Sequence, residues 1–394
     1  MDKIDRILTR GVANIIPGID ELRKILHDKR LNVYLGIDPT APRIHLGHAV
    51  PLIKLAKFAE LGHNVTLLIG DFTALIGDTS DKESERPVLT PEEIEKNFKT
   101  YKKQAEKILD FSKVQVKNNS EWLKKLTFAE IIRLTQQFSF GDFASRELIK
   151  KRLSAGKYVG LHEALYPAMQ GYDSYYMDTD LQIGGTDQTF NMQAGRTLQK
   201  KWRNKDSFIL TTEFLSGTDG RKMSKTWNNA IWIDDKPNDM YTKIMSINDD
   251  SIIQYFTLVT RVQNEEIENI NNRLEKGESP LDIKKELAFE IVKMLDGEKI
   301  AKDAQNHFQK TVRDRQLPVN LPIYKYSGET NVKIDDLILL AKLAESKSEA
   351  KRLLEQGGVE IDRVKITNPN SEIKVKNDMV IKVGKRKFIK IKIK

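Results

Sequence analysis

The sequence of 394 residues predicts an α/β protein in which a parallel sheet comes first and smaller domains follow. Two short β-rich runs, residues 31–37 and 64–69, enclose a stretch of helix-forming residues at 47–62. A strand, a helix and a second strand in this order form a right-handed crossover between parallel strands. Further strands are expected near residues 181–183 and 208–211. We therefore expect a doubly wound, Rossmann-like domain.

Helical segments interrupt this sheet and then follow it. A helical insertion is expected over residues 91–110, 142–155 and 161–177. With this insertion, the first domain is expected to span residues 1–227. Amphipathic patterns then predict an α-helical domain over residues 228–314. Its expected helices span residues 237–246, 251–260, 265–276 and 281–310.

The last part of the chain is expected to form a separate small domain. A linker over residues 315–332 contains Pro318, Pro322 and Gly328 but few helix formers. Residues 333–394 then combine two helix-like segments with alternating β segments. This order of elements predicts a small α+β domain.

The composition excludes several classes of protein. Charged residues make up 31% of the chain, and no apolar run reaches the roughly 18 residues that a membrane-spanning helix needs. The sequence contains no cysteine, which excludes disulfides, thiolate metal sites and a cysteine nucleophile. We expect a protein of the reducing cytoplasm without a membrane segment.

The net charge of +9 is concentrated in one segment. Residues 371–394 contain nine basic and two acidic residues, so seven of the nine net charges lie there. A polyanionic partner would explain this concentration. A solvated surface, or a strand whose lysines prevent edge pairing, would give the same pattern.

Two histidines follow the first predicted crossover strand. The run GIDPT at residues 36–40 leads to HLGH at residues 45–48. The positive N-terminal end of the next helix and the imidazoles of His45 and His48 suit the phosphates of a nucleotide. Gly47 has no Cβ and lets a base lie against the backbone. The motif predicts a triphosphate site, in preference to two surface histidines that cap a helix.

A basic loop follows the last predicted strand of the sheet. Gly220 precedes the run KMSKT at residues 222–226, in which Lys222 and Lys225 are three residues apart. Mobile ammonium groups can follow a departing pyrophosphate. Short basic loops are usually only solvated, but the presence of HLGH favours a shared ATP site.

A third set of residues predicts an amino-acid pocket. Tyr166, Gln170 and Asp173 are spaced four and three apart on one predicted helix and therefore share a face. Tyr34 stands at the end of the first predicted strand, and Asp78 follows the second strand at the same sheet edge. Such a pocket suits a phenolic hydroxyl at one end and an ammonium group at the other.

Together these motifs resemble those of the bacterial-type tyrosyl-tRNA synthetases, a family of class I aminoacyl-tRNA synthetases. The similar segments cover nearly the whole chain and are residues 34–40, HLGH, Gly77 with Asp78, residues 82–86, 166–173 and 182–188, and KMSKT, in which Thr226 replaces the usual serine. Residues 346–359 are similar to a small RNA-binding domain of a ribosomal small-subunit protein, which this family also carries.

The resemblance implies roles for the residues of the pocket. Tyr34 and Asp173 would bind the hydroxyl of tyrosine. The residues implied for its amino group are Asp78, Tyr166 and Gln170, and those implied around its carboxylate and the α-phosphate are Gln182 and Gln188.

The resemblance also implies a nucleotide site. Thr40, His45 and His48 would contact the phosphates of ATP, joined by the cations Lys82, Arg86, Lys222 and Lys225. Asp187, with Gly185, would hold the ribose. The other residues implied at the nucleotide are Gly36, Asp38, Gly47, Met223 and Ser224.

The implied reaction has two steps, formation of tyrosyl-adenylate and transfer of tyrosine to the 3′ end of tRNA. Mg²⁺ is expected with the ATP phosphates and without a dedicated protein site. The small domain would grip tRNA through its phosphates. The resemblance also implies a homodimer through the helical insertion. Residues 128–143 there are apolar enough for an interface, although a core within one chain would explain them too.

Three other functions stay open on the sequence alone. A tryptophanyl-tRNA synthetase shares the fold but gives no role to Tyr34 and Asp173. A non-catalytic RNA-binding protein, such as a splicing cofactor, would not need intact HLGH and KMSKT motifs. A nucleotidyltransferase that never meets tRNA would leave the helical domain and the basic segment without a role.

Overall fold

A computed structural model describes residues 2–78, 89–310, 321–328, 330–362, 364–384 and 387–393. The chain divides into two compact units, Met1–Phe308 and Gln309–Lys394. No helix within these described ranges is long and apolar enough to cross a membrane.

The first unit contains a six-stranded sheet. Its strands are β1 (Val12–Ile16), β2 (Asn32–Ile37), β3 (Asn64–Ile69), β4 (Val114–Asn118), β5 (Leu181–Gly185) and β6 (Phe208–Thr212). Their order is β1-β6-β5-β2-β3-β4, and every neighbouring pair is parallel except β1 with β6. The connections change direction between β2 and β5, so the predicted doubly wound sheet is confirmed. In such sheets, ligands bind at the carboxyl ends of the strands beside this point.

Fifteen helices surround this sheet within the described part of the first unit. They are α1 (Lys3–Thr9), α2 (Ile19–Asp28), α3 (Leu46–Glu60), α4 (Pro91–Ala105), α5 (Ser120–Leu123), α6 (Phe128–Thr135), α7 (Phe140–Ala144), α8 (Glu147–Ser154), α9 (Leu161–Tyr176), α10 (Thr189–Arg203), α11 (Pro237–Met245), α12 (Ile252–Val259), α13 (Asn264–Glu275), α14 (Pro280–Asp296) and α15 (Glu298–Phe308).

Two expected helices are each divided in the structure. The helix expected over residues 281–310 ends before Gly297, and α15 begins after it. The φ of Gly297 is +92°, a conformation that is strained for other residues and that ends α14. The helix expected over residues 142–155 is replaced by α7 and α8.

One hydrophobic core runs through the first unit. Leu35 on β2 and Phe58 on α3 belong to the same cluster as Tyr241 on α11 and Leu287 on α14. The domain boundary expected after residue 227 therefore falls inside a continuously packed region. Helices α11 to α15 and the sheet share the apolar burial that holds this unit together.

The second unit is built from short strands and two helices. The elements are β7 (Ile323–Tyr326), β8 (Asn331–Lys333), α16 (Ile334–Leu340), α17 (Lys347–Glu355), β9 (Val359–Ile361), β10 (Val364–Ile366), β11 (Glu372–Lys374), β12 (Val380–Val383) and β13 (Lys387–Ile393). One sheet has the order β10-β9-β12-β13-β7, and β8 pairs with β11. The α+β class is confirmed, but the linker expected over 315–332 includes β7, whose Tyr326 is buried in the core of this unit.

The lysine-rich strand β13 is not a sheet edge. It pairs with β12 on one side and with β7 on the other. Lys390 and Lys392 lie 2.8 and 3.5 Å from Asp378, and they alternate with the buried residues Ile389 and Ile391. Protection of an edge therefore does not explain these charges.

Candidate active site

A cleft of about 660 Å³ opens at the carboxyl ends of β2 and β5. Every predicted site residue that the structure describes lines it. They are Tyr34, Gly36, Asp38, Thr40, His45, Gly47, His48, Asp78, Tyr166, Gln170, Asp173, Gln182, Gly185, Asp187, Gln188, Lys222, Met223, Ser224 and Lys225. Lys82 and Arg86 lie outside the described residues. Sequence motifs far apart in the chain thus meet in one place.

Buried polar side chains form one end of this cleft, which we call the floor (Tyr34, Asn119, Asp173 and Gln182). Trp122 is also buried and contacts the floor at Asp173. The Tyr34 hydroxyl donates a hydrogen bond of 3.0 Å to Oε1 of Gln182. Asp173 accepts hydrogen bonds from Nε1 of Trp122 at 2.7 Å and Nδ2 of Asn119 at 3.1 Å. Tyr34 and Asp173, which we expect to act as a pair, are thus each oriented by another partner.

Burial dominates the electrostatics of the floor. It raises the pKa of Asp173 to about 8, although the hydrogen bonds from Asn119 and Trp122 lower it. The pKa of Tyr34 is raised well above its ordinary value by burial and by the nearby Asp173 carboxylate. A bound ligand that donates a hydrogen bond to this carboxylate would lower its pKa, because the hydrogen bond favours the charged form.

Asn119 and Trp122 are absent from the sequence prediction. Asn119 directly follows β4, and Trp122 lies in the short helix α5. The prediction lacks β4 because VQVKN is short and polar at alternate positions. Recognising that strand would have placed Asn119 at the same sheet edge as Tyr34.

The polar residues next to the floor form two hydrogen-bonded groups. Asp78 accepts hydrogen bonds from Nε2 of Gln188 at 2.7 Å and Nδ2 of Asn191 at 3.4 Å. The Tyr166 hydroxyl donates to Asp38 at 2.8 Å. The structure therefore joins Asp78 to Gln188 and Tyr166 to Asp38, while Gln170 lines the cleft from the same helix as Tyr166.

Close packing of α9 and α10 sets the position of these groups. A Cβ added to Gly171 on α9 would lie 3.1 Å from the backbone of Ala194, and one on Gly195 would lie 2.7 Å from Oε1 of Gln182. Both glycines are needed for this close approach. The face of α9 that carries Asp173 is thereby held near Gln182.

The two histidines of HLGH lie at the start of α3. His45 occupies the N-cap position, and its ring stacks on that of His48 with centroids 3.8 Å apart. Burial, followed by the charges of His48 and Lys222, lowers the pKa of His45 to about 2. His45 is therefore uncharged at neutral pH. A Cβ on Gly47 would lie 3.0 Å from the His45 ring, so a larger residue would displace it.

A segment after the KMSKT loop holds HLGH in place. His45 forms an antiparallel bridge with Trp232, flanked by two backbone hydrogen bonds of 2.9 Å. The Trp232 ring lies edge-on to His45 with centroids 5.8 Å apart. Arg43 covers the Trp232 ring at 4.6 Å and pairs with Asp234 at 2.6 Å. The sequence prediction does not contain Trp232 or Arg43.

The KMSKT loop is anchored by Asn229, another residue absent from the sequence prediction. The buried amide of Asn229 accepts a hydrogen bond from the backbone of Ser224 at 2.9 Å and donates to Asp219 at 2.7 Å. Lys222 reaches to 3.9 Å from Asp187. Lys225 is exposed at the rim. Fixed polar anchors thus present flexible cations to the cleft.

The part of the cleft that the structure describes does not offer the ligands of a resident metal ion. No group of three or more acidic or histidine side chains among the described residues could hold one. Asp38 and Asp78 accept hydrogen bonds from neighbouring side chains, and Asp187 lies near Lys222. This donor set fits a divalent cation that arrives with a polyphosphate better than one held by the protein.

Comparisons with known proteins define the class. A model of the class I tRNA synthetases (W and Y) matches residues 26–313, and an S4 domain model matches residues 332–380. A C-terminally truncated mitochondrial tyrosyl-tRNA synthetase from Coccidioides posadasii has the same fold. Its TM-score is 0.65 at 24% identity, over 78% of this chain and 91% of that one.

Comparison with curated relatives identifies the amino-acid substrate within this class. The tyrosine–tRNA ligase of Thermotoga maritima is 42% identical over 98% of this chain and 96% of its own length. That of Carboxydothermus hydrogenoformans is 43% identical over the same shares. The chain belongs to the tyrosine–tRNA ligases. It joins tyrosine to its tRNA with ATP as a substrate, and the alternatives that the sequence leaves open are set aside.

Proposed function

We propose that the floor of the cleft binds the phenolic hydroxyl of tyrosine between Tyr34 and Asp173. The buried hydrogen bonds of both residues carry this assignment, because they hold one phenol and one carboxyl at the closed end of the cleft. Phenylalanine would leave these polar groups without a partner, and an unpaired buried polar group is costly. Selection of tyrosine follows from that difference.

The amino group of tyrosine binds on the side of Asp78, Tyr166 and Gln170 in this proposal. Tyr166 donates its proton to Asp38 at 2.8 Å, which directs the lone pairs of the phenolic oxygen toward an incoming ammonium group. Asp78 supplies the opposite charge. Gln188, which donates to Asp78 at 2.7 Å, orients the carboxylate toward the α-phosphate together with Gln182.

In the first step, the tyrosine carboxylate attacks the α-phosphorus of ATP and pyrophosphate leaves. Thr40, His45 and His48 bind the phosphates, and Lys222 and Lys225 follow the charge of the leaving group. Lys82 and Arg86 have the same proposed role. The nucleotide is held by Gly36, Asp38, Gly47, Gly185, Asp187, Met223 and Ser224.

In the second step, the terminal ribose hydroxyl of tRNA attacks the activated carbonyl carbon. The bond from that carbon to AMP breaks, AMP leaves with the electron pair, the hydroxyl proton passes to the leaving phosphate or to water, and the tyrosyl ester forms. No side chain serves as a covalent nucleophile, so positioning and charge stabilisation supply the acceleration. Mg²⁺ enters with the ATP phosphates and balances their charge.

The helical insertion supports a proposed homodimer. Phe128 and Ile132 on α6 and Phe140 on α7 are 77%, 46% and 63% exposed. Large apolar side chains exposed on neighbouring helices in sequence support an interface there. Light scattering of the full chain is expected to give twice the mass of 45.2 kDa, and the double variant Phe128→Glu, Phe140→Glu to give a monomer. We also propose that the protein acts in the cytoplasm.

Pyrophosphate exchange tests the pocket assignment. We expect exchange with tyrosine but not with phenylalanine or tryptophan. Tyr34→Phe and Asp173→Ala should raise the tyrosine concentration that is required without changing that of ATP. A change in the ATP requirement instead would contradict the proposed orientation.

Truncation tests the role of the second unit. Removal of the second unit, residues 309–394, should leave pyrophosphate exchange intact and weaken charging of tRNA, with the largest difference from the full chain at low salt, where phosphate contacts are strongest. Equal loss of both activities would mean that this unit serves folding.

A further inference from the structure

An aromatic side chain stands at the rim of the cleft with no role in the mechanism above. Trp227 is 48% exposed and lies at the end of the short turn that begins at Lys225. It lines the same cleft as the predicted ATP residues. Exposure of a single apolar side chain is common on protein surfaces, so only the surroundings of this ring can indicate a role for it.

The Trp227 ring rests on a fixed cation. The guanidinium carbon of Arg221 lies 4.7 Å from the centre of the ring. Two nitrogens of Arg221 donate to the same Asp219 oxygen at 2.8 and 2.5 Å. Asp219 in turn accepts a hydrogen bond from the buried Asn229 at 2.7 Å. The ring is therefore supported on one face before any ligand binds.

The surroundings of the ring favour a nucleic acid. Lys222 and Lys225 lie on the same loop, so exposed positive charge accompanies the exposed aromatic surface. Cationic grooves with aromatic platforms are typical of sites for unpaired nucleotides, whose bases stack while the cations meet the phosphates. Transfer of tyrosine requires that the terminal ribose of tRNA reach this cleft.

We propose that Trp227, supported by Arg221, stacks on a base of the unpaired 3′ end of tRNA and guides the terminal ribose to the adenylate. The site acts in the second step only. The proposed contact requires the flat aromatic face of Trp227. An apolar side chain of similar size that only packs against its neighbours would not supply it.

Single-turnover transfer tests this proposal. Enzyme carrying preformed tyrosyl-adenylate is mixed with increasing tRNA, and transfer is followed for Trp227→Leu and Trp227→Phe. Trp227→Leu should lower the rate at limiting tRNA roughly 5- to 100-fold, whereas Trp227→Phe should retain most of it. Pyrophosphate exchange should be unchanged in both.

Three outcomes would overturn the proposal. Parental transfer by Trp227→Leu would show that the ring does not contact tRNA. Equal losses in the Leu and Phe variants would indicate a role without stacking. A raised KM for ATP in pyrophosphate exchange would assign the ring to the adenine of ATP instead.

A binding measurement keeps the proposal testable if Trp227→Leu folds poorly. Intrinsic fluorescence of the parent and of Trp227→Phe is titrated with intact tRNA and with tRNA lacking its unpaired 3′ nucleotides. We expect quenching that requires both Trp227 and the intact 3′ end. Equal quenching by the two tRNAs would contradict the contact.

Discussion

The two ends of the cleft are built differently. The floor consists of buried side chains on strands and helices, and each polar group there is oriented by a neighbouring one. The opposite end consists of HLGH and the KMSKT loop. The lysines of the loop are exposed, Asn229 anchors the loop, and Trp232 holds HLGH. Buried, mutually oriented groups suit recognition of a small substrate, whereas exposed cations suit phosphates whose charge moves during the reaction.

The largest expected effect comes from Asp173→Ala at the floor. Removing this carboxyl leaves the donors of Asn119 and Trp122 unpaired and removes the acceptor for the tyrosine hydroxyl. Tyrosine affinity should fall roughly 10³-fold. Equilibrium binding checks this value. A loss below about tenfold, within the range of one ordinary hydrogen bond, would mean that Asp173 does not contact the substrate.

The same carboxyl predicts a pH dependence of stability. The folded chain keeps a proton on Asp173 up to a pKa of about 8, whereas the ordinary value is 3.8. Ionisation is therefore disfavoured in the fold, and stability falls as the pH rises through this window. Without tyrosine, the Tm of the parent should fall relative to that of Asp173→Asn between pH 4 and pH 8. Parallel Tm curves would contradict the raised pKa.

At the other end, His48→Ala should slow adenylate formation about 10²-fold. The imidazole is expected to meet charge that develops on the phosphates, so tyrosine affinity should stay at the parental value. Stopped-flow measurement with saturating tyrosine separates the two quantities. Activation at the parental rate would remove His48 from the phosphate site.

Trp232→Ala should have a smaller effect at the same end, about tenfold on adenylate formation. Loss of the ring frees His45 from its edge-on contact and Arg43 from its stacking partner. Trp232→Phe is the matched control and should recover most of the rate. A fall in tyrosine affinity in both variants would indicate a general loss of structure.

The smallest expected effect is that of Tyr34→Phe, about fivefold in tyrosine affinity. Only one neutral hydrogen bond is lost, and Gln182 keeps its hydrogen bond to the backbone of Met192 at 2.8 Å. Titration with tyrosine measures the change. An effect as large as that of Asp173→Ala would mean that the two residues act as one unit.

The sequence predicts the residues that face the cleft better than those that support them. HLGH, KMSKT and the stripe from Tyr166 to Asp173 have local spacings, and all three line one cleft. Asn119 holds Asp173, and Trp232 holds His45, through contacts between distant parts of the chain. No local pattern marks such partners, because their role depends on tertiary packing.

Secondary structure shows the same limit. Strand β3 is predicted to the residue because four of its six residues are apolar and buried inside the sheet, namely Val65, Leu67, Leu68 and Ile69. Strands β1 and β4 lie at its two edges and carry polar residues, so their patterns are weak. Strand β7 was expected in a linker because prolines surround it, and its pairing with β13 is visible only in the fold.

The most direct test is a double-variant cycle across the cleft. Tyrosine affinity and the rate of adenylate formation are measured by stopped flow for Asp173→Asn, His48→Ala and the double variant. If the floor selects tyrosine and HLGH acts on the phosphates, the first change affects affinity, the second affects rate, and their free energies add. A large coupling energy, or loss of tyrosine affinity in His48→Ala, would contradict the division of the cleft into two ends.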